Sequence, residues 1–207
     1  MASEPVVHVI DDDPAARESL EFLLDCAGMR VKGYESADSF LAALPGLEPG
    51  CIVTDVRMPG MSGIELVARL KTLGIRDPII VITGHADVPM AIHAMKQGVA
   101  DFIEKPFRDE LILDAIRSAL SRRDRAAGQQ AERDRIRERL DALSPRERDV
   151  LAGLVEGRPN KVIAFDLGIS ARTVEVYRAN LMTKMQAGSL SELVRMAMIA
   201  GQDQLKG

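Results

Sequence analysis

The feature that most constrains the fold is an alternation of short apolar runs with longer segments of helical period over the first 120 residues. Continuous apolar runs bounded by turn residues are typical of strands buried on both faces. They predict strands at 6–10, 51–54, 79–83 and 100–103, and a weaker strand at 30–34. The helical patterns lie at residues 15–27, 37–44, 63–73, 88–97 and 110–120. This alternation predicts an α/β domain with a parallel sheet covered on both sides, a flavodoxin-like (βα)5 fold.

The rest of the chain lacks strand patterns. Residues 121–140 carry mixed charges at helical spacing, which favours a solvated helix; a flexible linker is the alternative, since Gly128 costs a helix about 1 kcal/mol relative to Ala. From Leu143 onward the pattern predicts four helices, capped by Ser144, Asn160, Ser170 and Ser189. We therefore expect a domain over 1–120, a linker over 121–140 and an all-α four-helix domain over 141–207.

The charge differs between the two halves of the chain. Residues 1–120 contain 11 Lys and Arg against 19 Asp and Glu, a net charge of −8, whereas residues 121–207 contain 16 against 12, a net charge of +4. An acidic half suits a cation site and a basic half suits nucleic acid, although two solvated surfaces are the alternative.

Composition also bounds the setting of the protein. No apolar stretch approaches the ~20 residues that span a bilayer, and the N-terminus lacks the basic and apolar regions of a signal peptide. We expect a cytoplasmic protein. In that setting Cys26 and Cys51 are expected to be buried thiols rather than a disulfide.

Polar side chains follow four of the predicted strands. Asp11 and Asp12 follow the first strand, Asp55 follows strand 51–54, Thr83 ends strand 79–83, and Lys105 follows strand 100–103. The carboxyl ends of parallel strands meet at one edge of a sheet, where ligands bind.

Clustered carboxylates need a cation, and Mg2+ prefers such oxygen ligands. Asp55 could attack phosphorus and form an aspartyl phosphate, with the metal and Lys105 neutralising the phosphoryl oxygens. Each residue alone is more typical of a turn or cap, so the prediction depends on the set.

The stretches VIDDD, TDVRMPGMSG, VITGHAD and DFIEKPF resemble the receiver domain of two-component response regulators, in order and spacing, over roughly the first 120 residues. The resemblance implies that Asp55 is the phosphoacceptor for a sensor histidine kinase. It implies that Mg2+ is bound directly by Asp12, with help from Asp11, Asp55 and the backbone carbonyl of Arg57.

The same resemblance implies the parts of a switch. Lys105 and Thr83 would bind the phosphoryl group, and Phe102 takes the position of the family's switch aromatic. The family's usual dimer face includes the helix at 88–97, where the candidates are Val88, Met90, Ile92 and Lys96. Packing in the core is the alternative for the apolar members of this set.

Two of the predicted helices in the second half are joined by the short turn Leu167-Gly168-Ile169. This is the plan of a helix-turn-helix, whose second helix enters the major groove of DNA. The residues predicted to form its core are Ile163, Ala164, Leu167, Ile169, Val174 and Leu181.

The helix-turn-helix carries side chains with the chemistry for DNA. Phosphate contacts are predicted for Lys161, Arg172, Arg178 and Lys184, and further hydrogen bonds for Thr173 and Tyr177. Glu175 could accept from cytosine, and Asn180 could bind adenine. A solvated helical face is the alternative.

The stretch LSPRERDVLAGLVEGRPNKVIAFDLGISARTVEVYRANLMTKM resembles the LuxR-type DNA-binding domain. By position, Glu175, Val176 and Ala179 fall at the family's base-facing sites. Many members have Lys where this chain has Glu175, so the resemblance does not carry over an operator sequence.

Together the two resemblances imply a transcription regulator of the NarL/LuxR class. Phosphorylation would promote dimerisation and binding to double-stranded promoter DNA, where the protein would activate RNA polymerase. The stretches TGHADVPMAI, FIEKPF and ISARTVEVYRANLMTKM are particularly similar to the nitrogen-fixation regulators of this class. That similarity implies nitrogen-fixation promoters as targets and an oxygen-sensing haem kinase as the partner.

Two other classes of function are weighed against this one. A phosphatase with an aspartate nucleophile would need an acid/base carboxylate two residues after Asp55, where Arg57 lies, so we expect a regulator and not an enzyme. A phosphorylation-independent DNA-binding protein with a degenerate receiver is disfavoured by the intact set of Asp11, Asp12, Asp55, Thr83 and Lys105.

Overall fold

Residues 4–84 and 88–204 are described by a computed structural model, without the side chains of residues 88–90 and 200–204. Five strands within these ranges form a parallel sheet in the order β2-β1-β3-β4-β5. They are β1 (Val6–Ile10), β2 (Arg30–Tyr34), β3 (Gly50–Asp55), β4 (Ile79–Thr83) and β5 (Asp101–Glu104). The predicted flavodoxin-like sheet is confirmed, including its weaker strand at Arg30–Tyr34.

Helices cover both faces of this sheet. They are α1 (Pro14–Cys26), α2 (Ala37–Ala43) with a short 3-10 turn (Leu44–Gly46), α3 (Gly63–Thr72), α4 (Val88–Lys96) and the first part of α5 (Asp109–Asp141). One core packs Phe40, Leu66 and Leu70 against the sheet, and the other packs Leu24 and Ile116 against its opposite face. Every residue of β1, β3 and β4 is buried, which explains their continuous apolar patterns.

The strand order places the polar strand ends together. The strand β1 lies between β2 and β3, so the chain winds in opposite directions on either side of β1. A crevice forms at such a reversal, outside the carboxyl ends of the strands. Asp11 and Asp55 lie at the carboxyl ends of β1 and β3, the two strands that flank it.

The helix predicted to end at Leu120 continues without interruption, since α5 is 33 residues long and ends at Asp141. The solvated helix favoured for residues 121–140 is therefore confirmed over the flexible linker, because this segment loses the apolar stripe but retains helix-forming composition. Residues 124–135 are exposed throughout. In the described parts of the chain, neither α5 nor any other helix has the length and apolar character needed to cross a membrane.

The chain divides into two compact units, residues 1–125 and 126–207. The second unit contains the end of α5 and the helices α6 (Pro145–Val155), α7 (Asn160–Leu167), α8 (Ala171–Met185) and α9 (Leu190–Gln204). Its core includes Ile136, Ile163, Val174 and Leu181. Of the predicted core residues, Leu167 and Ile169 are only partly buried, and both pack against this core.

The caps of the second unit agree with the sequence except at one helix. Ser144 and Ser170 accept hydrogen bonds from the backbone N–H groups of Glu147 and Thr173, as predicted. The prediction for Asn160 was wrong, because Pro159 takes the cap position of α7 and Asn160 is the first helical residue.

The cysteines differ in burial. Cys51 is buried in β3, where desolvation raises the pKa of its thiol to about 12, whereas Cys26 is exposed at the last residue of α1. Both are free thiols. The expectation that both would be buried was wrong for Cys26.

Candidate functional site

Two buried carboxylates share one ammonium group at the carboxyl edge of the sheet. The Nζ of Lys105 donates to Asp11 Oδ2 at 2.8 Å and to Asp55 Oδ1 at 2.9 Å. Asp11 is 8% exposed and Asp55 is 9% exposed. The structure therefore brings together three of the side chains that the sequence predicted at separate strand ends.

Backbone N–H groups fix the other oxygen of each carboxylate. Asp13 N donates to Asp11 Oδ1 at 3.0 Å, and Arg57 N donates to Asp55 Oδ2 at 2.6 Å. The guanidinium of Arg17, which sequence reasoning missed, donates to the carbonyl of Asp11 at 2.6 Å. Every carboxylate oxygen of this pair thus has a donor, which holds both groups in one orientation.

The charge on Lys105 is stabilised by its two partners. Burial opposes the charged form, but the hydrogen bonds that Lys105 donates to Asp11 and Asp55, with their negative charges, outweigh it and raise the pKa of Lys105. The ammonium therefore stays charged over the physiological range. It supplies a fixed cation beside the Asp55 carboxylate.

A close backbone approach shapes the loop after Asp55. A Cβ added at Gly63 would lie 2.1 Å from the carbonyl oxygen of Asp55, so only glycine fits there. Ser62 caps α3 through a capping box with Glu65, which places Gly63 as the first residue of that helix. The sequence marked this glycine only as part of the PGMSG stretch, since the close approach depends on packing.

The two remaining switch candidates lie on β4 and β5. Thr83 is fully buried at the end of β4, and its carbonyl accepts from the backbone N–H of Lys105 at 2.8 Å. Phe102 is partly buried and packs against the core. A backbone hydrogen bond thus links Thr83 to Lys105, the residue that contacts both carboxylates.

Two of the carboxylates predicted to bind Mg2+ lie close together at the sheet edge. Within the described ranges, no three His, Cys, Asp or Glu side chains are grouped so that they could hold a metal ion. Asp11 and Asp55 are brought together, whereas Asp12 is exposed. Two carboxylates at one sheet edge are the hard oxygen donors that Mg2+ prefers, and Mg2+ usually retains several waters. The pair fits Mg2+ in its chemistry, and metal binding by Asp11, Asp12, Asp55 and the Arg57 carbonyl remains a prediction.

Only part of the predicted dimer face lies among the described side chains. Ile92 is 50% exposed and Lys96 is exposed on α4, while Ala94 between them is fully buried. The side chains of Val88 and Met90 lie outside the described residues. The helix therefore buries one face and leaves apolar surface outward.

The helix α8 has one buried and one exposed face. Val174, Leu181 and Met185 are fully buried in the core of the second unit. The predicted DNA-contacting residues that are exposed are Lys161 on α7 and Arg172, Glu175, Val176, Ala179, Asn180 and Lys184 on α8. The exposed set includes the three positions predicted to face bases.

The other predicted DNA contacts are engaged within the second unit. Thr173 bonds to Ser170 at the cap of α8, and Tyr177 packs against the core. Arg178 Nη1 donates to Asn160 Oδ1 at 2.9 Å. The exposed Lys184 also has a partner, since its Nζ donates to Glu147 at 2.7 Å.

This combination of a receiver site and a helix-turn-helix defines the class of protein. Residues 7–117 match the response regulator receiver domain, and residues 141–197 match the bacterial regulatory proteins of the luxR family. The chain belongs to the response regulators that join a receiver to a LuxR-type DNA-binding domain. Members of this family are regulators and not catalytic enzymes in the usual sense. A receiver implies a histidine kinase partner and Mg2+, and the luxR-family domain implies DNA binding.

Within that class the chain is similar to FixJ. It is 57% identical to the transcriptional regulatory protein FixJ of Azorhizobium caulinodans, over 94% of this chain and 92% of that protein. It is 54% identical to the crystal structure of full-length FixJ from B. japonicum, with a TM-score of 0.62 over 97% of this chain and 98% of that one. The response regulator StyR is 40% identical and has a TM-score of 0.83, over 95% of this chain and 99% of that one.

Proposed function

We propose that a sensor histidine kinase phosphorylates Asp55 and that phosphorylation increases the affinity of the chain for promoter DNA. The observation that carries this proposal is the bridge from Lys105 to Asp11 and Asp55 at 2.8 and 2.9 Å. A carboxylate at a strand end with a fixed cation beside it can act as a nucleophile toward a phosphoryl group.

The chemistry follows from the partners of Asp55. A carboxylate oxygen of Asp55 attacks phosphorus, the bond from phosphorus to the kinase imidazole breaks, and the imidazole leaves with the electron pair. The Arg57 N–H holds the carboxylate, and Lys105 neutralises charge on the transferred oxygens. Asp11, Asp12, Asp55 and the Arg57 carbonyl would hold Mg2+, which supplies further positive charge for those oxygens.

The phosphoryl group would change the surroundings of Thr83 and Phe102. The oxygens of the phosphoryl group are new acceptors for the Lys105 ammonium and for the Thr83 hydroxyl. Hydrogen bonds to these oxygens would compete with the present contacts of both side chains. A shift at Thr83, with Phe102 turning inward, would alter the face that includes α4. We propose that two copies then associate through Val88, Met90, Ile92 and Lys96.

DNA binding is assigned to the exposed face of α8 and to the start of α7. Arg172 and Lys161 are exposed cations that would contact phosphates, and the exposed Glu175, Val176, Ala179 and Asn180 would face the bases. A dimer would bind paired half-sites on the duplex.

The signal and the targets are inferred from similarity to FixJ, a transcriptional regulatory protein. We propose that the kinase is of the oxygen-sensing FixL type and that the chain activates RNA polymerase at nitrogen-fixation promoters.

Phosphorylation is tested by intact mass after incubation with acetyl phosphate and Mg2+. The wild-type chain should gain one phosphoryl group, and Asp55→Asn should gain none. Asp25→Asn, at an exposed position on α1, is the matched control and should be labelled like the wild type. Equal labelling of Asp55→Asn would refute Asp55 as the acceptor.

A further inference from the structure

The side chains of Arg178 and Lys184 are held by residues of other helices. Arg178 is partly buried and donates to Asn160, the first residue of α7. Lys184 donates to Glu147 of α6, a residue that is 4% exposed. Both cations lie on α8, the helix predicted to enter the major groove.

The position of Arg178 along α8 agrees with an inward role. Val174, Arg178, Leu181 and Met185 are spaced by four, three and four residues, which is one stripe of an α-helix. The three apolar members of this stripe are fully buried. Arg172, Val176 and Ala179, with the same spacing, form an exposed stripe.

Glu147 is a strong partner for Lys184. Its carboxylate also accepts from the backbone N–H of Ser144 at 2.8 Å, as part of the capping box of α6. The bond from Lys184 and the capping bonds from Ser144 lower the pKa of Glu147 to about 2, so it is ionised at physiological pH. A second attachment at the same end comes from Arg139, which donates to the carbonyl of Met185 at 3.1 Å.

We propose that Arg178 and Lys184 are positioning residues, which fix α8 against α7 and α6 and so align its exposed face with the bases. The charge of Arg178 and Lys184 alone would suggest phosphate contacts. We assign that role instead to exposed cations such as Arg172. This inference rests on the proposed DNA binding by α8.

Salt dependence separates the two roles. A Lys or Arg that neutralises a phosphate contributes about 0.9 to the slope of log affinity against log salt. A cation that only orients the helix contributes nothing to that slope. Misalignment of α8 instead weakens base contacts, and so lowers affinity for a specific duplex more than for an unrelated one.

The experiment uses the full chain, treated with acetyl phosphate and Mg2+, and two probes. One is a duplex selected from a random pool by the wild type, and the other is an unrelated duplex of equal length. Arg178→Ala and Lys184→Ala should keep the wild-type slope of log affinity against log salt. The ratio of the affinity for the selected duplex to that for the unrelated duplex should fall about tenfold in each variant. Arg172→Ala is the control and should reduce the slope by about 0.9.

Two further variants keep both cations and remove only their partners. Asn160→Ala should reproduce the loss of Arg178→Ala, and Glu147→Gln that of Lys184→Ala. A double variant of Arg178 and Asn160, or of Lys184 and Glu147, should lose no more of the affinity ratio than its single variants. Each pair acts as a unit, so its losses do not add. These variants test the inference even where a cation variant folds poorly.

Several results would overturn the inference. A slope reduced by about 0.9 in Arg178→Ala or Lys184→Ala would make that residue a phosphate contact. An equal loss on both duplexes would indicate a purely structural role, and no loss on either would exclude positioning. Failure of the wild type to select any duplex would instead refute the proposed DNA binding, and the inference would fall with it.

Discussion

At the scale of single residues, Lys105 is the cation on which two buried carboxylates depend. Its Nζ lies within 2.9 Å of an oxygen of both Asp11 and Asp55, so the two negative charges share one donor. Two carboxylates held together without a cation repel each other and favour the protonated form. Bound Mg2+ would provide a second source of positive charge at the same place.

Replacing Lys105 by Met should therefore destabilise the first unit in the presence of EDTA. Loss of the shared donor is expected to cost about 1–3 kcal/mol. Added Mg2+ should raise the melting temperature more in this variant than in the wild type. Thermal unfolding with EDTA and with Mg2+ measures both effects, with Lys71→Met on the exposed side of α3 as control. A variant as stable as the wild type in EDTA would contradict the assigned role of Lys105.

Glu147 gives the second unit a defined dependence on pH. Its pKa falls from 4.5 to about 2, chiefly through the bond from Lys184, so the carboxylate stabilises the fold above its ordinary pKa. That contribution is lost as the pH falls from about 4.5 toward 2. Glu147→Gln should be less stable at pH 7 by about 1–3 kcal/mol and should respond less to pH in this window.

This prediction is checked by denaturation at several pH values, followed by the NMR signals of the Leu181 and Met185 methyl groups. Glu138→Gln, at an exposed position on α5, is the matched control. If Glu147→Gln retained the full pH response of the wild type, another group would have to account for that response.

The predictability of the site differed among its residues. Asp11, Asp55 and Lys105 could be predicted because they follow buried strands, and the geometry of a parallel sheet brings strand ends together. The pairing of Lys184 with Glu147 could not be predicted. The two residues lie on helices whose packing no local pattern specifies, and the charge of Lys184 suggested a phosphate contact equally well.

At the scale of elements, α5 joins two segments that the sequence predicted separately, a helix over 110–120 and a solvated helix over 121–140. The apolar stripe of Ile112, Ile116 and Ala119 ends near Leu120, which explains the predicted helix end. Hydrophobic periodicity detects the buried face of a helix and loses it once the helix is solvated on all sides. The exposed part of α5 retains local bonds such as the one from Gln130 to Asp134 at 2.9 Å.

The exposed part of α5 should be the least stable stretch of this helix, and Gly128 lies within it. No atom outside the local helix lies within 4 Å of a Cβ added at Gly128, so Ala would add helix propensity without a clash. Gly128→Ala should stabilise the helix by about 1 kcal/mol and slow the exchange of nearby amide hydrogens about fivefold.

Amide hydrogen exchange over residues 124–135 measures this change. Gly168→Ala is the informative contrast, because Gly168 has a φ of +64° at the turn before α8, where Ala is strained. It should destabilise the second unit, although it too has open space at its Cβ. Unchanged exchange in Gly128→Ala would show that helix propensity does not limit the stability of this segment.

At the scale of the whole molecule, two units with separate cores carry two different functions. The acidic half contains the candidate phosphorylation site, and the basic half contains the helix-turn-helix. The net charges of −8 and +4 suggested this division from the sequence. The energetic coupling of the two halves depends on the free-energy difference between an inactive and an active state. Neither composition nor hydrophobic periodicity specifies that difference.

A switch of this kind has a defined energetic requirement. Moving a population from 99:1 inactive to 99:1 active takes about 5.5 kcal/mol of differential stabilisation. New hydrogen bonds that Lys105 and Thr83 donate to a phosphoryl group are charge-assisted and are the available local source of this stabilisation. The apparent affinity for DNA would then rise by up to about a hundredfold, as the competent fraction rises from about 1%.

The most direct test of this account is the affinity of the full chain for its selected duplex, measured by fluorescence anisotropy before and after treatment with acetyl phosphate and Mg2+. We predict that treatment tightens binding by the wild type and leaves Asp55→Asn unchanged. Equal tightening in Asp55→Asn, or a fully phosphorylated wild type whose affinity does not change, would contradict control of DNA binding through Asp55.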